Sequence, residues 1–66
     1  MKFSKVKLAN AMIKKGLNIS DLVTLSGVSR ATVSAVYNGK SCSLAVAVKI
    51  SKALEVEFIE IAEERG

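Results

Sequence analysis

Residues 26–40 read SGVSRATVSAVYNGK. The fold turns on whether this stretch is two short helices bent at Gly27, with the outer face of the second left open, or only a corner of a small helical bundle. A tight helix-helix corner needs a residue that takes positive φ without strain, and glycine has no Cβ to oppose it. Val28 then anchors the turn in the core, and Ser29 caps a new helix whose inward stripe is Val33, Val36 and Tyr37. Asn38-Gly39 ends it. The residues left facing outward are Arg30, Ala31, Ser34, Ala35 and Asn38. That outer face is small, flat and polar.

Upstream, Asn18 is placed to cap the preceding helix by accepting from the amide of Asp21, whose charge suits a positive helix end. Leu22 and Leu25 are expected inward, with Val23 at the contact with the following helix. A first helix starts at Ser4 and runs to about Lys15, because Val6, Ala9 and Ile13, with Leu8 and Met12 beside them, recur at helical spacing. Gly16 supplies its stop. Downstream, Lys40-Ser41-Cys42 is a polar connection to Ser43, the cap of a fourth helix that carries Leu44, Ala47, Val48, Ile50, Ser51 and Leu54. Apolar over more than half its circumference, this helix is expected to be central. A last helix from Phe58 to about Glu64 sets Phe58, Ile61 and Ala62 against glutamates and leaves Ile59 over. VEFIEIAE also alternates apolar and acidic residues, so a short strand is the alternative there. The spacing as a whole predicts an all-α, compact five-helix domain.

The 66 residues leave room for one domain, read here as spanning 1–66 with none left for an effector domain. Half are hydrophobic and none is proline, which fits a packed helical chain and argues against a disordered tail or linker. With Cys42 as the only cysteine and no histidine, no intramolecular disulfide and no zinc site are expected. Cys42 is read as a small, partly buried side chain. The basic start MKFSKVK is followed by LANAMIKKG, too interrupted for a signal-peptide core, and no run approaches the roughly 20 apolar residues of a membrane span. A cytoplasmic protein is expected. Without histidine or a phosphate-binding glycine loop, and with every acid but Asp21 in one solvated C-terminal cluster, an enzyme is not.

Charge is uneven. Up to Lys52, nine basic residues against Asp21 give +8; from Ala53 onward, five glutamates against Arg65 give −4, summing to the net +4. A basic body with an acidic end suits a polyanion approached by the body. A helix entering the major groove must bring side chains to base edges, and bulky outer residues would hold it away. Ala31 and Ala35 permit that approach and can touch thymine methyls, while Arg30 can reach a guanine O6/N7 edge or a phosphate. Ser34 can bond to either kind of base pair, and Thr32 reaches the backbone from the flank. Asn38, the Gly39 amide and Lys40 lie where phosphates would pass. Lys14, Lys15, Lys49 and Lys52 read as solvated helix surface. Lys2, Lys5 and Lys7 read either the same way or as a basic arm that tracks the duplex.

GLNISDLVTLSGVSRATVSAVYNGK (residues 16–40) resembles the helix-turn-helix of the phage-repressor/Cro-like, or XRE, family, and SLAVAVKISKALEVEFIEI (residues 43–61) is similar to that family's last two helices. The resemblance implies a lambda-repressor-like fold and a sequence-specific, double-stranded-DNA-binding transcriptional regulator of Cro/repressor type. It implies base or phosphate contact at Ser29, Arg30, Ala31, Ser34 and Ala35, and phosphate contact at Asn38 and Lys40. Two positions depart from the pattern. Ile19 stands where the family commonly has a glutamine that holds a phosphate and braces a base-reading side chain, and Val23 stands where it usually has alanine.

No cofactor or small-molecule ligand is expected. A homodimer through the last helix, by way of Phe58, Ile59 and Ile61, would set two recognition helices about 34 Å apart; the other reading packs Ile59 on Leu54 or Val56 within one chain. A recombination or antitoxin-like accessory DNA binder, and a helix-turn-helix used as a protein adaptor, are the rival functions.

Overall fold

In the computed structural model, which describes residues 1–63, the chain forms five helices: α1 (Lys5–Lys15), α2 (Ile19–Ser26), α3 (Arg30–Tyr37), α4 (Leu44–Leu54) and α5 (Phe58–Ile61). Each of the first four starts on a side chain suited to accept from the open amides of a first turn. Ser4 accepts from Lys7 N, Asn18 from Asp21 N, Ser29 from Thr32 N and Ser43 from Val46 N. Asp21 returns the favour by accepting from Asn18 N at 3.0 Å, which completes a capping box. Gly16 and Gly27 end α1 and α2 in the left-handed region. α4 has no glycine after it: Glu55 itself takes φ 58° there, and its carboxylate meets Lys15 Nζ at 2.8 Å.

α2 packs on both α3 and α4, while α1 lies against α3, α4 and α5. Leu8, Leu22, Val33, Val36, Ile50 and Leu54 from α1 to α4 are fully buried, together with Phe3 from the segment before α1. Ser51 is also buried, and its hydroxyl has no partner among the described residues, an arrangement that costs about 1–3 kcal/mol.

Several expected faces are rotated. In α1 the row that meets α3, α4 and α5 is Leu8, Ala11 and Met12, leaving Val6 and Ile13 in solvent. In α2 the inward row is Ile19, Leu22, Val23 and Ser26, at i, i+3, i+4 and i+7. Leu25 falls outside that row and is exposed. On α4, Leu44 and Val48 are likewise exposed.

At the C-terminal end the helix expected from Phe58 forms, and the alternative strand does not. VEFIEIAE is not a strand: α5 occupies its middle, and the only β pairing among the described residues is a single bridge between Phe3 and Ala62. Ser4 N donates to Ile61 O at 2.8 Å and Glu63 N to Lys2 O at 3.0 Å. Cys42 N donates to Met1 O at 2.7 Å. The segment carrying Lys2 is thus laced to the rest of the fold and is no free arm. The expected end of the last helix at about Glu64 lies outside the described residues; the helix itself stops at Ile61.

Candidate nucleic-acid interface

The α2–α3 corner is built on Gly27 at φ 72°, ψ 12°, with its N–H donating to Val23 O at 3.0 Å. Val28 is buried and its N–H is held by Ser26 Oγ at 3.2 Å, so the chain enters α3 from a fixed point. Ser29 caps α3 and its hydroxyl donates to Thr32 Oγ1 at 2.9 Å. The Thr32 hydroxyl proton stays available for an acceptor outside the chain.

With Val33 and Val36 buried and Tyr37 packed against the core, the exposed residues of α3 are Arg30, Ala31 and Ser34, continued by Asn38. Ala35 and Thr32 flank this face, half-buried. The structure therefore brings the expected residues onto one surface. At its start, Arg30 Nη2 donates to Ser20 Oγ on α2 at 2.6 Å. Sequence reasoning passed over Ser20, looking instead to Ile19, whose side chain packs on the core. The available signal was positional: Ser20 and Arg30 both sit in the first turns of the two helices that meet at the corner.

At the other end the donors are less free than expected. Asn38 Nδ2 donates to Ser34 O at 2.8 Å, and the amides of Gly39 and Lys40 close the helix on Val36 O and Ala35 O. The Gly39 amide, expected to face phosphates, is thus engaged within the chain. Lys40 keeps its exposed side chain. Lys5 joins this end: its methylenes lie so close over Gly39 that a Cβ there would sit 3.3 Å from Lys5 Cδ.

Electrostatics separate along the fold. α5, with Glu57 and Glu60 at its start, packs on α1 and α4 and touches neither α2 nor α3. Asp21, the one acid near the corner, is engaged by its capping box. A groove of about 560 Å³ does exist, but between α1 and the α4–α5 turn, lined by Lys7, Asn10, Lys15, Glu55 and Glu60 among others. Basic and acidic groups share its walls, as in the Lys15–Glu55 pair, so it presents no uniform charge. Burial pushes the half-buried Cys42 thiol above its ordinary pKa, against the opposing pull of the amino terminus. Among the described residues no three metal-ligating side chains converge. No described helix is long and apolar enough to cross a membrane.

Two kinds of solved structure are similar to this chain. The restriction-modification controller protein C.AhdI from Aeromonas hydrophila is 33% identical, over 85% of this chain and 86% of that one, with a TM-score of 0.76. PhpD, solved with cadmium atoms, matches the whole chain at 21% identity and a TM-score of 0.83, over 14% of its own length, and so shows the fold alone. PhpD with cadmium and hydroethylphosphonate matches in the same way, at a TM-score of 0.82. No curated protein sequence matches the chain. Residues 7–63 match the family model of the Cro/C1-type HTH DNA-binding domain. With its helix-turn-helix at α2 and α3, the chain belongs to the Cro/C1-type helix-turn-helix DNA-binding domain family.

Proposed function

We propose that this DNA-binding regulator acts as an operator-binding protein of Cro/repressor type in the cytoplasm, residues 1–66 serving as one DNA-binding domain that inserts α3 into the major groove. The observation that carries the reading is the outer face of α3, where Arg30, Ala31 and Ser34 stand exposed beside half-buried Ala35, with no bulky side chain other than the base-reading Arg30 to hold a duplex away. Arg30 reads a guanine edge, Ala31 and Ala35 meet thymine methyls, and Ser34 adds a hydrogen bond. Ser29 and Thr32 lie against the backbone at the N-terminal end, and Lys40, with the second Nδ2 proton of Asn38, meets phosphates at the other. No cofactor takes part. The similarity to a restriction-modification controller protein supports a regulatory role.

Eight residues make α3 about 12 Å long, the span of three to four base pairs at about 3.4 Å each. So short a reading head gains from a second copy, and α5 offers the means. Ile59 is 81% exposed there, whereas Ile61 is buried and Phe58 packs on Phe3, so a dimer would centre on Ile59.

Selection of the purified protein against a random duplex library, followed by titration of the winners over a range of salt, tests this reading. Enrichment of an inverted repeat with half-sites about 34 Å apart is expected. If no motif emerged and binding vanished at physiological salt, α3 would not be a base-reading helix, and a protein partner for it would become the better account.

A further inference from the structure

Arg30 is the only basic residue of α3, and its one side-chain partner among the described residues is the Ser20 hydroxyl, 2.6 Å from Nη2. The bond crosses from the first turn of one helix to the first turn of the next. A guanidinium is donor-only, so Ser20 Oγ must accept and cannot be the donor. The anchor is also neutral. Asp21, the acid next to Ser20, has its carboxylate on Asn18 N at 3.0 Å, and Asn18 Oδ1 accepts from Asp21 N at 2.8 Å. Arg30 is therefore held in direction without an ion pair to cancel its charge. One of its five N–H donors is engaged, leaving four, which suffices for both acceptors of a guanine edge.

We infer that Ser20 is a positioning residue for base reading: its hydroxyl holds the Arg30 guanidinium in the orientation that meets one base pair. The inference rests on the proposed major-groove role of α3. Long flexible side chains lose rotamer freedom on binding, and a guanidinium already tethered in the free protein loses less. Since the tether acts through Arg30, it affects discrimination at one base pair and leaves phosphate contacts alone.

Fluorescence anisotropy on two duplexes tests this: the one selected by the wild type, and the same duplex changed at the base pair that Arg30→Ala relaxes. Ser20→Ala should reduce the affinity ratio between them about five-fold, the worth of one modest hydrogen bond. Binding to the changed duplex and the melting temperature should stay as in the wild type. Ser20→Thr, which keeps the hydroxyl, should restore the ratio, and Ser20→Ala should add no loss to Arg30→Ala. A ratio untouched by Ser20→Ala would overturn the inference, as would an equal weakening on both duplexes or a loss additive with Arg30→Ala. A wild type with no preferred duplex would overturn the major-groove reading along with it; a preferred duplex read identically by Ser20→Ala would overturn only the role of Ser20.

Discussion

The ring of Phe3 meets that of Phe58 edge-on, with centroids 5.1 Å apart at 73°, and this contact joins the start of the chain to α5. Phe3 is 2% exposed, so the segment before α1 is part of the core. Phe3→Ala should lower the unfolding free energy by about 3–5 kcal/mol, read as a fall in the urea midpoint. A mobile DNA-contacting arm predicts the opposite pattern, weaker DNA binding at an unchanged midpoint.

Gly27 holds φ 72°, yet nothing lies within 4 Å of where its Cβ would be. The cost of replacing it is therefore backbone strain and not a clash. Gly27→Ala should destabilise by about 1–2 kcal/mol, Gly27→Val by more because a β-branched residue is poorer at positive φ, and Gly27→Asn by less. Equal melting temperatures for Gly27 and its Val variant would show that the corner does not need this conformation.

Glu55 lies below its ordinary carboxylate pKa, first because its side chain accepts from Lys15 and second through the Lys15 charge. A carboxylate depressed in the folded state contributes stability above its unfolded pKa and loses it as pH falls through the lowered folded value. Urea midpoints of wild type and Glu55→Gln should therefore differ at neutral pH and converge in acid, and added salt should narrow the gap, since the pair is exposed. A gap that widened in acid would contradict this origin of the shift.

Lys40 follows Gly39 at the C-terminal end of α3 with its side chain exposed, and the Lys5 methylenes lie over Gly39 from α1. Each replaced by alanine should weaken binding to all duplexes nearly equally and reduce the salt slope by about one. Arg30→Ala should instead cost about 1–3 kcal/mol on the preferred site and relax one base pair. Titrations over a salt series on preferred and random duplexes separate the two patterns.

The parts of the fold legible in the sequence are those governed by neighbours in the chain. Ser4, Asn18, Ser29 and Ser43 accept from amides three residues on, and Gly16 and Gly27 take the positive φ that a local stop requires. The outer face of α3 was legible for the same reason, because Val33 and Val36 leave little choice of inward side. Helix rotation was harder to read where apolar residues surround the axis. In α1, Val6 and Ile13 compete with Leu8 and Met12, and only the packing of α3, α4 and α5 decides between them. What tertiary contact alone creates left no local trace, including the Phe3–Ala62 bridge and the glycine-free stop at Glu55.

The claim that α3 reads the major groove through Arg30 is tested most directly by replacing single guanines of the selected duplex with 7-deazaguanine. This removes the N7 acceptor from the major-groove edge and leaves base pairing and the minor groove unchanged. The account predicts one guanine at which the wild type loses affinity about five-fold or more while Arg30→Ala loses nothing further. Equal affinity for every substituted duplex, or the same loss in both proteins, would contradict it.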